Sequence, residues 1–279
     1  MTSVDYNWNI FRYIADYLHL FGIVIVIATL LWNRNCRGLS FKTQVFYLVI
    51  FCTRYLDLVS TVHTQSWYLI VFKLFYICSS VLIVFLMRRW DTTIETNKDT
   101  CSIPGILIPC IVFAVVSVAF SSTYTFPKLC WVFSEILEGF AMLPQYIFNY
   151  RQDVEMKRRD NIGVLLFILA LGFYRMFYAA NWIYKKVMMG STYTDFVSWF
   201  AGIVEIILFL DYLFNKSFLK LVVLKVDSKI NDLVELKILH TSQTTTNNGS
   251  ISPMRAKNLA EAKRLGAPLD EDDEAMLII

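Results

Sequence analysis

Apolar residues along this chain come in blocks of roughly twenty, not at the spacing of an amphipathic surface helix or an alternating strand. The blocks run approximately over 14–32, 41–60, 66–87, 103–120, 129–148, 161–184 and 196–215. A helix rises ~1.5 Å per residue, so ~20 such residues cross the ~30 Å hydrocarbon layer of a bilayer. The pattern predicts an all-α membrane protein of seven transmembrane helices. Four blocks read as clean; the second, fifth and sixth carry charge, and the seventh ends on Asp211. The first follows a polar opening, MTSVDYNWN, and precedes Arg34 and Arg37 instead of a small-residue cleavage site, so it reads as a retained helix and not a signal peptide.

Composition agrees with the blocks. In 279 residues, 56% hydrophobic and 16% aromatic, there is more apolar surface than one soluble domain buries. Beyond residue 215 the character changes, through HTSQTTTNNGS to the acidic DEDDE and a final AMLII. Residues 1–215 are therefore expected to form the helical domain and 216–279 a mostly disordered tail. The segment DEAMLI (273–278) fits a short adaptor-binding pattern, and Asn248 heads a sequon that would stay unused in the cytosol.

Charge sets an orientation, because lysine and arginine in short loops collect on the cytoplasmic side. One side has thirteen: Arg34, Arg37, Lys42, Arg88, Arg89, Lys98, Arg151, Lys157, Arg158, Arg159, Lys216, Lys220 and Lys225. The other has four, Arg12, Lys128, Lys185 and Lys186. This predicts a lumenal N-terminus and a cytosolic C-terminus, as an odd number of crossings requires.

The charges inside the blocks are the candidate chemistry. A charge at the bilayer centre costs ~2.5–3.5 kcal/mol on insertion scales, so such residues face a polar cavity and one another. Arg54 and Asp57 lie three apart, as do Glu135 and Glu138; Tyr174, Tyr178, Asn181 and Lys185 follow i, i+4, i+7, i+11. With Arg175, and with Arg12 and His19 in the first helix, they predict a polar cavity opening to the lumen. A buried ion network that only fixes helix packing is the competing reading.

Other chemistries find little support. The six cysteines (36, 52, 78, 101, 110, 130) form no Cys-x-x-Cys, and the histidines (19, 63, 240) lie far apart. No metal, cofactor, nucleic-acid partner or enzymatic activity is expected.

Five stretches in order carry a family likeness: NIFRYIADYLHL (9–20), TRYLDL (53–58), ILEGFAMLPQ (136–145), LGFYRMFYAANWIY (171–184) and AGIVEIILFLDY (201–212). They resemble the corresponding stretches of the ER lumen protein-retaining receptors, the KDEL/HDEL receptor family, over roughly residues 8–215. The resemblance implies a seven-helix bundle related to the PQ-loop and SWEET-type transporters. It implies residence in endoplasmic reticulum and Golgi membranes, capture of C-terminal Lys/His-Asp-Glu-Leu tetrapeptides in the Golgi, and return to the ER in COPI vesicles.

Carried over by position, Arg54 resembles the anchor of the terminal carboxylate, Arg12 a partner of an acidic side chain, and Tyr55, Glu138 and Arg175 the polar network beneath. Asp57 and Asp195 fall near the ligand's first, basic residue; Trp131, Tyr174, Tyr178, Asn181 and Trp182 resemble the walls. His19 matches the pH sensor, an imidazole of unperturbed pKa ≈ 6.5. Asp211 matches an aspartate needed for return transport, and Lys216, Lys220 and Lys225 offer a patch for the coat. Arginine forks suit a ligand bearing a terminal carboxylate and two acidic side chains.

Two positions depart from the pattern: Lys128 stands where the family has a glutamate, and Lys185 where it has an arginine. The first replaces a partner for a basic ligand residue by a like charge, so a changed signal preference is expected. A PQ-loop-type small-solute transporter is the alternative function.

Overall fold

The computed structural model describes residues 9–58, 67–120, 125–156, 161–189 and 196–214, together with Lys225, Ser228, Lys229 and Asp232. The chain divides into two compact units, Met1–Asp227 and Ser228–Ile279, and of the second only the last three of those residues are described. Asp195, Lys157, Arg158, Arg159, Lys216, Lys220 and the adaptor-like DEAMLI pattern lie outside the described residues.

The first unit is helical: α1 (Ile10–Asn33), α2 (Phe41–Arg54), α3 (Trp67–Arg89), α4 (Ile103–Ala119), α5 (Phe126–Ala141), α6 (Leu143–Met156), α7 (Ile162–Met189) and α8 (Phe196–Phe214), with a 3-10 turn at Asp91–Thr93. No strand occurs among the described residues. Caps set several boundaries. The Asn9 side chain accepts from the Arg12 N–H, Ser40 from Thr43 and Ser102 from Gly105, each satisfying a backbone donor that a helix N-terminus leaves open. Arg34, in the left-handed region at φ 49°, ends α1.

Five of the seven expected spans appear as continuous helices, and two are interrupted. In the second, helix stops at Arg54, turns through Tyr55 and Leu56, and resumes at Asp57. The fifth is two segments, α5 and α6, joined at Met142. Pro144 follows that joint; it has no N–H to donate and its ring crowds the carbonyl four residues back. Apolar runs record hydrophobicity and length, and neither break changes those. Four helices, α1, most of α3, α7 and α8, are long and apolar enough to cross a membrane; α4 is apolar but shorter.

Packing follows a repeated order. α3 lies against both α1 and α2, and α8 lies against both α5 and α7. In each triad the third helix thus sits between the other two. The triads meet where α1 runs along α7 and α2 along α5, and α4 packs on α5. Close approach at the α5–α8 contact needs Gly139, since a Cβ there would stand 2.8 Å from the Ala201 carbonyl oxygen.

The outer surface is apolar: Val81 and Phe85 on α3, Val112, Phe113 and Val116 on α4, and Ile203 and Ile207 on α8 are exposed. Inside, Glu138, Arg175, Asn181 and Glu205 are buried. Apolar outside with ions inside inverts the distribution of a water-soluble core and suits a lipid environment.

At one end of the bundle the 33–43 segment is tied down by hydrogen bonds. Gln145 accepts from the Ser40 N–H at 2.9 Å, and its amide nitrogen donates to the Gly38 carbonyl and to Asn149, both at 2.9 Å. Asp99 accepts from the Ser40 hydroxyl and the Lys42 N–H. Burial pushes its carboxyl above the usual range, opposed by those same bonds. Asp211 lies here too, accepting from the Tyr150 hydroxyl at 3.1 Å.

Candidate functional site

At the opposite end a cavity of about 440 Å³ opens between α1, α2, α3, α5, α7 and α8. It collects the N-terminal part of α1 (Arg12, Asp16, His19), the C-terminal part of α2 (Phe51, Arg54, with Tyr55) and Tyr76 of α3. From the second triad come Trp131, Glu135 and Glu138 of α5, Ser198 of α8, and the C-terminal part of α7, with Tyr174, Arg175, Tyr178, Asn181, Trp182 and Lys185. All these helix ends point the same way, so the cavity is one-sided.

Its floor is an ion network. Arg54 Nη2 lies 2.8 Å from Glu138 Oε2 and 3.2 Å from Glu135 Oε1, and its Nε donates to the Ser134 hydroxyl at 3.1 Å. Arg175 reaches Glu138 Oε2 with Nη2 at 2.7 Å and Glu205 Oε2 with Nε at 2.5 Å. The Tyr174 hydroxyl donates to Glu138, and the Ser198 hydroxyl to Glu135 at 3.0 Å. Two guanidiniums are thus shared by three carboxylates. Trp182 packs beside Arg175 and over Gly202, where any Cβ would collide with the indole at 2.6 Å.

The mouth is clasped more loosely. Arg12 Nε is 4.0 Å from Asp16, the Tyr178 hydroxyl donates to Asp16, and the Asn9 amide donates to Asn181 at 2.8 Å, linking α1 to α7. His19 sits in an aromatic box, its ring 4.5 Å from Tyr174 and 5.0 Å from Tyr76, with Tyr47 and Phe51 within about 6 Å.

A second cavity, of about 420 Å³, shares Arg54, Tyr55 and Trp131 with the first, and Asp57, Lys73 and Lys128 line it. There Lys73 Nζ pairs with Asp57 at 2.6 Å and lies 5.8 Å from the centre of the Tyr55 ring.

Of the residues the sequence singled out, Arg12, His19, Arg54, Tyr55, Trp131, Glu138, Tyr174, Arg175, Tyr178, Asn181, Trp182 and Lys185 therefore line the main cavity. Asp57 and Lys128 line its neighbour, and Asp211 is at the other end. Within the cavity the cations meet carboxylates of the chain itself. Arg54 and Arg175 each contact two glutamates, and with Arg12, Asp16 and Lys185 the cavity carries nearly balanced charge.

Asp16, Lys73 and Glu205 were missed as members of the site, although they interrupt three of the four blocks read as clean. Each is an ionisable residue within an apolar run, the same signal that marked Arg54. Glu135 was seen as a face-mate of Glu138 but not as a partner of Arg54.

The chain as a whole is similar to known proteins. A family profile described as ER lumen protein retaining receptor matches residues 35–185. The chain is 36% identical over 212 residues to an ER lumen protein-retaining receptor of Saccharomyces cerevisiae and 33% over 207 residues to one of Drosophila melanogaster. It is 30% identical over 208 residues to one of Entamoeba histolytica; each alignment covers 74% of this chain and 92% of the relative.

Proposed function

The chain belongs to the ER lumen protein-retaining receptor family, and from that premise we propose that it captures the C-terminal tetrapeptide tails of escaped lumenal proteins in the Golgi and returns them to the endoplasmic reticulum. The observation that carries this reading is the one-sided cavity with Arg54 in its wall between α2 and α5. A peptide terminus brings a planar carboxylate, which a guanidinium binds through paired charge-assisted hydrogen bonds contributing ~1.5–3 kcal/mol each. Arg12 at the mouth suits an acidic side chain of the same tail, and Trp131, Tyr178, Asn181 and Trp182 offer walls around it.

Seven crossings fit this reading, with the α2 run and the α5–α6 run each counted as one interrupted span. The cavity then faces the lumen, and the end of the bundle that holds Asp211 lies on the cytosolic side, where the coat acts. His19, at the cavity wall beside Tyr174, is the group through which acid pH tightens binding.

Tail preference is altered in this chain. Beside Asp57, where the family likeness sets the ligand's basic residue, stand two lysines, Lys73 at 2.6 Å and Lys128 in the same cavity wall. A basic residue entering there must compete with Lys73 for Asp57. We expect tails with a neutral or acidic residue four from the end to bind better than those with lysine or histidine.

The test uses the purified full chain and the tetrapeptides Lys-, His-, Ala- and Glu-Asp-Glu-Leu. Arg54-dependent binding, lost by about a hundredfold in Arg54→Gln, supports the receptor reading. Intact binding in a correctly inserted Arg54→Gln protein would end it. Equal affinity for all four peptides would remove the altered preference alone.

A further inference from the structure

Arg54 already holds a carboxylate of the kind a tail would bring. Its guanidinium contacts two glutamates, and they are not equivalent. Glu138 is 1% exposed and is gripped by Arg175 and the Tyr174 hydroxyl as well. Glu135 lies further toward the open cavity, its side chain 12% exposed, and reaches Arg54 at 3.2 Å while accepting from the Ser198 hydroxyl at 3.0 Å. Of these two acids only Glu135 can leave Arg54 without also giving up a contact to Arg175 and the Tyr174 hydroxyl.

Charge counting points the same way. Arg54 and Arg175 are shared by Glu135, Glu138 and Glu205, so the floor already has one carboxylate more than it has guanidiniums. Adding a ligand carboxylate without displacing any would set four anions on two cations in a largely desolvated site, which is costly. Exchange of one carboxylate for another leaves the count on Arg54 unchanged.

We propose that Glu135 is a built-in competitor for the ligand: its carboxylate occupies the position on Arg54 that a peptide's terminal carboxylate takes, and affinity for tails is set by that exchange. This rests on the reading of Arg54 as the carboxylate anchor. It makes Glu135 an affinity-determining residue that the bound tail need not touch.

The test is a cycle between protein and peptide. Ala-Asp-Glu-Leu is titrated against the wild-type chain, Glu135→Gln and Arg54→Gln, once with a free terminal carboxylate and once as the C-terminal amide. Glu135→Gln is expected to bind the free-carboxylate peptide about tenfold more tightly than wild type and the amide within about twofold of it. A change in packing alone would move both peptides together. Glu135→Asp, which keeps the charge but draws it back by one methylene, is expected to gain about threefold, and it carries the test if the glutamine variant does not fold. No gain in either variant, or equal gains for both peptides, alongside Arg54-dependent binding in wild type, overturns the competitor and leaves the receptor reading standing. Absence of Arg54-dependent binding in wild type overturns both.

Discussion

The two ends of the bundle are held together by different physics. At the closed end, Gln145, Ser40, Asn149 and Tyr212 exchange neutral hydrogen bonds, and the acids Asp99, Glu95 and Asp211 accept from the neutral Ser40 hydroxyl, Gly38 N–H and Tyr150 hydroxyl, beside one ion pair, Lys98–Glu95. At the open end, Arg54, Arg175 and three glutamates hold one another by charge. Neutral amide bonds are directional and specify one loop conformation, whereas an ion pair accepts a substitute anion wherever one arrives. The first end is built to stay shut and the second to trade partners. A transporter of the same helix order would have to open both, so uptake of small solutes into vesicles separates the two functions.

Removing a member of the open-end network tests how far it also supports the fold. Arg175→Met leaves three buried carboxylates to one guanidinium and should cost ~3–5 kcal/mol, read as a lower melting temperature in detergent. A variant as stable as wild type would show that the network tolerates unpaired acids. At the closed end, Gln145→Ala removes an acceptor for Ser40 and donors to Gly38 and Asn149, at ~1–3 kcal/mol of stability. Tail affinity should change by less than about threefold there, because the lost bonds lie at the other end of the bundle; a large loss of affinity would mean that the ends are coupled.

Smaller effects sharpen the contrast. His19→Ala should flatten the dependence of tail binding on pH, reducing an acid-favouring difference of about tenfold between roughly pH 5.5 and 7.5 to near unity. An unchanged ratio would move the sensor into the carboxylates. Lys73→Met removes the competing ammonium 2.6 Å from Asp57 and should raise affinity for the lysine-first tetrapeptide by about threefold, while leaving the alanine-first peptide within error.

How much could be read in advance differs between these features. The apolar runs located α1 to α8, with α5 and α6 in a single run, and TRYLDL with LGFYRMFYAANWIY supplied seven of the seventeen residues of the cavity wall, because intramembrane charge is rare enough to be a signal by itself. The break after Arg54 left no mark in hydrophobicity, and Asp16, Lys73 and Glu205 were passed over inside runs that looked uniform. Each had a signal, but a single ionisable residue does not say which helix it faces.

The chain by itself determined that apolar helices bundle with their charges turned inward, since ~20 apolar residues and a lone arginine have few other stable arrangements in a bilayer. Only the tertiary structure decided which acid meets which base. Arg54 pairs with residues 81 and 84 positions away, and Arg175 with one 37 back and one 30 ahead. Such separations have no helical period. For Arg54 they follow from how the two triads approach, set by packing over whole faces such as Gly163 of α7 against Thr29 of α1, and for Arg175 from packing inside the second triad, where Gly139 meets Ala201.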